Sequence, residues 1–214
     1  PIFVSGKGEL NWLRSPGARR IEFGDAVSTA VGYWGSLCCR AGWMLGEPDM
    51  TLFKRLVAPY YRVIASWYAN MKIGARGGDI FSIVEEAFLG SGIRSSLNPG
   101  HLISFDEWTH SPIRPHSDDR IRSGMVFQCD IIPTPLPPGN ALNCEDTIVM
   151  ADADLREEIC EKYPDMWERI RRRSDFMKEQ LGLLLAEDVL PLSDFVAYLP
   201  PFWLCSDMVC FVEA

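Results

Sequence analysis

The sequence lacks any long apolar run. None approaches the roughly 20 residues that a membrane-spanning helix needs, and the opening Pro1–Gly6 has neither the basic region nor the cleavage site of a signal peptide. Paired cysteines are lacking too, because the 7 cysteines are odd in number and show no CxxC spacing. We therefore expect no disulfide framework. We expect reduced thiols, no membrane association and a cytoplasmic protein.

The sequence also has no excess of basic charge. Its net charge is -8, with 21 Lys and Arg against 29 Asp and Glu. The basic run at 169–173 is flanked by acidic residues at helical spacing, which is typical of a helix face laced with ion pairs. Because a nucleic-acid-binding protein presents a net basic face, we expect no nucleic-acid partner.

The acidic charge is concentrated in the last part of the chain. Residues 151–214 hold 14 acidic and 7 basic residues, whereas residues 1–150 are nearly balanced. We therefore divide the chain into a domain over 1–150 and an acidic helical extension over 151–214. Within the extension, a helix is predicted from Leu155 to about Leu185, with a break near Pro164.

Residues 20–90 predict a hairpin followed by helices. The segment 20–39 is rich in Val, Ala, Thr, Tyr and Trp and is interrupted by glycines, which is typical of two strands joined by a tight turn. From Met50, apolar residues recur every three or four positions, and Pro59 is expected to start a second helix or kink a single one. Asp79 is expected to cap the helix that follows.

Strand-like runs then return, at 101–105, 125–132 and 147–150. The order of strands, helices and strands predicts an α+β fold. A histidine and two carboxylates lie on or beside these runs, namely His101, Asp130 and Glu145. Imidazole and carboxylate groups are ligands of divalent metals, so these three residues are the candidate metal site.

Five short segments together resemble the pita-bread superfamily of methionine aminopeptidase, aminopeptidase P, prolidase and creatinase. In chain order they are Gly24-Asp25, Lys72-Ile73-Gly74, Gly100-His101, Gly124-Met125-Val126-Phe127 and Glu145-Asp146-Thr147. The resemblance covers roughly residues 20–151. It implies a curved, mostly antiparallel sheet flanked by helices, so that residues 1–150 form a partial catalytic-type domain. It also implies a two-metal site that activates water against an amide, often beside proline.

The same resemblance exposes a gap in the metal site. The family uses two hairpin aspartates, a histidine and two glutamates; His101 matches the histidine, Asp130 stands at the first glutamate and Glu145 matches the second. No Asp or Glu occurs from Ala26 to Gly46, so the aspartate positions fall on residues such as Ala30, Ser36 or Leu37. Three ligands do not offset the repulsion of two cations about 4 Å apart. We therefore expect one divalent metal (Mn, Fe, Co or Zn) or none.

A structural interpretation of these residues stays open beside the metal site. His101 could be a core histidine whose salt-bridge partner is Asp130, and Glu145 could lie on a solvated strand edge. Asp130 is the most telling of the three, because a carboxylate between apolar neighbours is costly to bury without a partner.

His110 is the candidate catalytic residue outside the metal site. The family places a second histidine shortly after the metal histidine, where it contacts the substrate carbonyl, and His110 with Ser111-Pro112 resembles that segment. At the commoner seven-residue spacing the position falls on Trp108. A surface role for His110 is the alternative. A nucleophilic route through Cys38, Cys39 or Ser36 is weaker, since a reactive thiolate needs a cation or a helix N-terminus beside it.

The sequence thus predicts a divergent hydrolase that acts on a C–N bond of a small amino-acid-like or Xaa-Pro substrate. The alternative is a catalytically inactive module that binds a peptide or protein partner. A homodimer is expected in either case. The chain starts at Pro1 without an initiator methionine and enters strand-like sequence at once, so we expect a fragment of a longer protein.

Overall fold

The computed structural model describes residues 2–7, 14–33, 36–106 and 108–213. Within them, the strands are β1 (Ile2–Gly6), β2 (Ala26–Tyr33), β3 (Ser36–Trp43), β4 (Arg94–Ser95), β5 (His101–Leu102), β6 (Val126–Cys129), β7 (Pro133–Thr134), β8 (Asn143–Met150) and β9 (Val189–Pro191). The helices are α1 (Met50–Leu52), α2 (Ala58–Asn70), α3 (Gly77–Ala87), α4 (Ala153–Lys162) and α5 (Pro164–Glu179), and a π-helical turn at Phe53–Val57 joins α1 to α2.

Seven of these strands form one sheet in the order β1-β2-β3-β8-β6-β5, with β9 also paired to β8. Every pairing in it is antiparallel. The predicted hairpin is confirmed as β2 and β3, and β8 lies at the centre of the sheet between β3 and β6. The α+β prediction is therefore confirmed, and the solvated strand edge considered for Glu145 is wrong because β8 is an interior strand.

Helix α2 packs on one face of this sheet, and α3 packs against α2. The apolar periodicity from Met50 becomes the buried side of α2, which includes Tyr60, Ile64 and Trp67. Pro59 lies in the first turn of α2, directly after the π-helical turn, and the backbone stays right-handed helical from that turn into α2. The structure therefore has one continuous helical run with a π-helical turn in front of the proline, and not a separately started second helix.

The expected cap at Asp79 is wrong by about one turn. Helix α3 begins at Gly77, and Asp79 lies inside its first turn. There its carboxylate interacts favourably with the positive end of the helix dipole. The earlier start depends on glycine, since a Cβ at Gly77 would lie 2.0 Å from the carbonyl oxygen of Pro112. The sequence pattern gave no sign of this close approach.

Side chains from the extension at 151–214 pack into the same hydrophobic core as the sheet. The predicted break at Pro164 is confirmed, since α4 ends at Lys162 and α5 starts at Pro164. Met177, Leu181 and Leu183 are buried in the main core, while β9 extends the sheet beside β8. No helix in the described part of the chain is both long and apolar enough to cross a membrane.

A buried ion pair fastens β3 to β8 on the face that carries α2. The Arg40 guanidinium donates to both carboxylate oxygens of Asp146, at 2.8 and 2.9 Å, and to the carbonyl oxygens of Glu145 and Tyr198. The Asp146 carboxylate also accepts from the backbone N–H of Ala197 at 2.9 Å. Because the Asp146 side chain is wholly buried, this charge depends on Arg40 for its compensation.

We predict that Arg40→Met lowers the free energy of unfolding by about 3–5 kcal/mol, because it leaves the Asp146 carboxylate buried without its counterion. Urea unfolding followed by circular dichroism measures this loss. The matched control is Lys162→Met, which removes the exposed Glu158–Lys162 pair and is expected to cost at most about 0.5 kcal/mol. Equal losses in the two variants would contradict the prediction.

Candidate metal centre

The structure brings His101, Asp130 and Glu145 together. One ligand atom from each lies within 4.8 Å of the other two, and all three residues are buried. His101 Nε2 and Asp130 Oδ2 are 3.8 Å apart. In the described part of the chain, this trio is the whole cluster of His, Cys, Asp and Glu groups that meets this spacing. Asp130 and Glu145, which follow His101 by 29 and 44 positions in the sequence, thus meet it at one point of the sheet.

The sheet register produces this meeting. Glu145 in β8 lies opposite Cys39 in β3, and Cys39 lies opposite Ala30 in β2. Asp130 follows directly after β6, whose last residue pairs with Asp146, so Asp130 is next to Glu145 in the same row across the sheet. His101 enters from β5, opposite Gln128. Side chains of directly opposed residues share a face, which points these groups to one side.

Gly100 admits His101 to this position. Its φ of +112° is in the region that favours glycine, and a Cβ there would lie 2.9 Å from the carbonyl oxygen of Gln128 and 3.2 Å from the Trp67 ring. Trp67 in turn donates from Nε1 to the carbonyl oxygen of Pro99 at 2.7 Å. The Gly-His pair is therefore held against α2 by a tryptophan of that helix.

Gln128 is a supporting residue of this cluster that the sequence analysis missed. Its side-chain nitrogen donates to Glu145 Oε1 at 3.0 Å and to the carbonyl oxygen of Leu37 at 2.7 Å. Its side-chain oxygen accepts a short hydrogen bond from the Thr147 hydroxyl. The amide therefore fixes which way the Glu145 carboxylate faces. The alternation of β6 was the available signal, since it places Gln128 on the same face as Asp130.

His110 lies outside the buried trio. Its side chain is 56 % exposed, and its Nε2 is 3.7 Å from Asp119 Oδ2. Its backbone bridges to Leu102, directly after His101. The residue stacked on the His101 imidazole is instead Trp108, with ring centroids 4.1 Å apart. Trp108 occupies the seven-residue spacing that the sequence analysis named as the commoner one, and a catalytic role for His110 stays a prediction.

The β2–β3 hairpin carries no carboxylate on the face that it shares with the trio. Ala30 is buried and Leu37 half-buried, and both lie on the same face as Cys39. Asp25 is held elsewhere, since Arg19 donates to both of its carboxylate oxygens and the Glu22 N–H donates to Oδ2. The hydrogen bonds from Arg19 hold the pKa of Asp25 below its usual value. Asp25 thus stabilises its own loop.

The residues present fit one divalent cation better than two. One imidazole nitrogen and two carboxylates can occupy one face of an octahedral ion and leave the other positions to water and substrate. Their negative charge balances one divalent cation, and the buried position keeps their attraction for it strong. A second cation would need the anionic ligands that the hairpin lacks.

The Cys38 and Cys39 thiols do not have the environment of a nucleophile. Burial raises the pKa of the Cys38 thiol to about 11, and burial also raises the pKa of Cys39. A catalytic thiol requires the opposite shift, because the thiolate is the attacking species. The nucleophilic alternative is therefore disfavoured for these two thiols.

Comparison with known proteins gives likenesses at the level of structure. No protein-family model matches the chain, and no curated protein does. The structure is similar to a dipeptidase from Pyrococcus horikoshii OT3, with 25% identity, a TM-score of 0.53 and coverage of 69% of this chain and 42% of that one. It is also similar to the prolidase of the same organism, with 20% identity, a TM-score of 0.58 and coverage of 70% and 44%.

A third likeness is to methionine aminopeptidase from Rickettsia prowazekii, with 16% identity, a TM-score of 0.51 and coverage of 70% of both chains. This chain spans less than half the length of the dipeptidase and prolidase that it matches. The structure has a mostly antiparallel sheet with flanking helices, as the resemblance implies. The protein therefore has the pita-bread fold of prolidase, dipeptidase and methionine aminopeptidase structures.

Proposed function

We propose that the protein is a peptidase-like hydrolase with a single divalent metal, acting on a C–N bond of a small amino-acid-like or Xaa-Pro substrate. The observation that carries this proposal is the convergence of His101, Asp130 and Glu145 on one buried point of a pita-bread sheet. A short peptide or small molecule is the proposed substrate, and a cytoplasmic homodimer the proposed assembly.

His101, Asp130 and Glu145 would hold the ion, and Gln128 would keep the Glu145 carboxylate turned toward it. When bound, such a cation polarises a carbonyl and lowers the pKa of a water molecule. His110 would then donate a hydrogen bond to the carbonyl oxygen of the substrate, and the Asp119 carboxylate lies 3.7 Å from its Nε2. Trp108 screens the His101 ring from water on one side.

The second candidate is an inactive module that keeps the fold for binding a peptide or protein. The observation in its favour is the hairpin, where alanine and leucine stand in place of charged ligands. The His101–Asp130 approach at 3.8 Å also suits a buried ion pair without a metal. Metal content and hydrolysis separate the two candidates.

We predict close to one equivalent of bound metal after apo protein is incubated with Mn, Fe, Co or Zn salts and desalted. His101→Ala should reduce this to background, because it removes the single nitrogen ligand of the trio, while His110→Ala should retain it. Elemental analysis by plasma mass spectrometry measures the content. Metal below a few tenths of an equivalent in the unchanged protein would contradict the hydrolase proposal and favour the inactive binding module.

We predict that His110→Asn lowers kcat/KM for an Xaa-Pro dipeptide by about 100-fold, in line with the loss of one positioned donor, with no change in metal content. His116→Asn is the matched control: His116 is exposed and has a φ of 58°, which asparagine tolerates. Hydrolysis of an Xaa-Pro panel by metal-loaded protein provides the rates. Equal rates in the two variants would assign His110 to the surface.

We predict that Ala30→Asp combined with Leu37→Asp raises the metal content from one toward two equivalents. Both positions share the face of Cys39 and Glu145, so the new carboxylates would supply the missing anionic ligands. Val31→Asp is the control, because Val31 alternates to the other face and is exposed. Stoichiometry from calorimetric titration decides the matter, and a double variant that still binds one ion would contradict the prediction.

A further inference from the structure

Trp108 lies at the boundary between the candidate metal centre and solvent. Its indole stacks on the His101 imidazole, with ring centroids 4.1 Å apart and ring planes 27° apart. His101 has no exposed surface, whereas Trp108 is 43 % exposed. A half-exposed side chain that contacts a fully buried candidate ligand lies between that ligand and the surrounding water.

Two other neighbours of this site are fixed in place. Gln128 is fully buried, and its side-chain nitrogen donates to Glu145 Oε1 and to the carbonyl oxygen of Leu37. Trp67, which packs beside Gly100, is also fully buried and donates from Nε1 to a backbone carbonyl oxygen. Neither side chain is free to move aside for a bound molecule, so the room at the site depends on Trp108.

The backbone on either side of the stacked rings is held by hydrogen bonds. Thr109, directly after Trp108, donates to the carbonyl oxygen of Leu102 from its N–H at 3.1 Å and from its hydroxyl at 2.9 Å. The N–H of Leu102, directly after His101, donates to the carbonyl oxygen of His110 at 2.6 Å. The indole is therefore kept beside the imidazole, and it can leave only by rotation about its own side-chain torsions.

The His101 ring presents one nitrogen to the other candidate ligands. Its Nε2 is 3.8 Å from Asp130 Oδ2, whereas its Nδ1 is 3.2 Å from the carbonyl oxygen of Leu102. A molecule that binds at the metal centre thus lies on the Nε2 side of a ring whose face is covered by Trp108. Because stacked rings in contact leave no space between them, a bulky group there has to displace the indole and lose its contacts.

We propose that Trp108 is a specificity-determining residue, which restricts the metal centre to substrates with a small side chain, such as that of glycine or alanine, next to the scissile C–N bond. The inference rests on the metal site of the proposed function. Trp108 acts as a wall: it leaves the binding of small substrates unaffected and excludes large ones by repulsion. Discrimination of this kind is worth about one or two powers of ten in affinity.

The test compares two hydroxamates, those of alanine and phenylalanine, by calorimetric titration of zinc-loaded protein. Both chelate a metal through the same two oxygens, so that the pair differs in side-chain size alone. The unchanged protein should bind alanine hydroxamate at least about tenfold more tightly than phenylalanine hydroxamate. Trp108→Ala should remove this preference by strengthening the binding of phenylalanine hydroxamate, and Trp108→Phe should fall between the two proteins.

Phe105→Ala is the matched control. Phe105 is an aromatic residue of the same loop, three positions before Trp108, and it is 85 % exposed. Its removal should leave the ratio of the two dissociation constants unchanged. Should Trp108→Ala not fold, Trp108→Phe decides the matter by the same ratio.

The outcomes separate this inference from the proposed function. Protein that holds no zinc and binds neither hydroxamate would overturn the metal site, and this inference with it. Zinc-loaded protein that binds neither hydroxamate, or binds both with a ratio that Trp108→Ala leaves unchanged, would overturn the role of Trp108 and leave the metal site in place. A preference of the unchanged protein for phenylalanine hydroxamate would also overturn it, because the indole would then attract aromatic side chains.

Discussion

The Arg40–Asp146 ion pair is the interaction on which the rest of the molecule depends. It joins β3 to β8 from the helix-covered side of the sheet, and it gathers the carbonyl oxygen of Tyr198 and the N–H of Ala197 from the last part of the chain. A slip of one residue between strands would turn every side chain to the opposite face. A charge pair that closes only in one register therefore also fixes which residues face the candidate metal centre on the other side.

The two faces of β3 and β8 divide the chemistry between them. On one face, the Arg40–Asp146 ion pair joins the two strands. On the other face, Cys39 lies opposite Glu145, one of the candidate metal ligands. The positions of the two groups are coupled, because adjacent residues of the same strand point to opposite faces of the sheet.

Local patterns in the sequence were enough for much of this fold. The glycines and β-branched residues of the hairpin, Pro59 in the first turn of α2 and Pro164 at the start of α5 all act within a few residues of themselves. The trio of candidate ligands was also recognisable, because its members lie in segments that resemble a known superfamily. The start of α3 was displaced, since contact with the distant Pro112 decided it.

The remaining features depend on pairings that periodicity does not encode. Arg40 and Asp146 are 106 positions apart, and Gln128 contacts Leu37 from 91 positions away. Trp108 stacks on His101 close to the backbone bridge that joins His110 to Leu102. Such contacts appear only when strand order and register are known, which is why the sequence suggested the ligands and not their supporting groups.

Gln128 has a consequence for how the site would respond to an ion. Both of its donor hydrogens are engaged, one by Glu145 and one by the Leu37 carbonyl, and Thr147 holds its oxygen. The Glu145 carboxylate is thus already held in one orientation, so that little conformational entropy would remain to be lost on capture of a cation. Preorganisation of this kind would compensate in part for a small number of ligands, and the hydrogen bond from Gln128 to Leu37 joins β3 to the candidate metal centre.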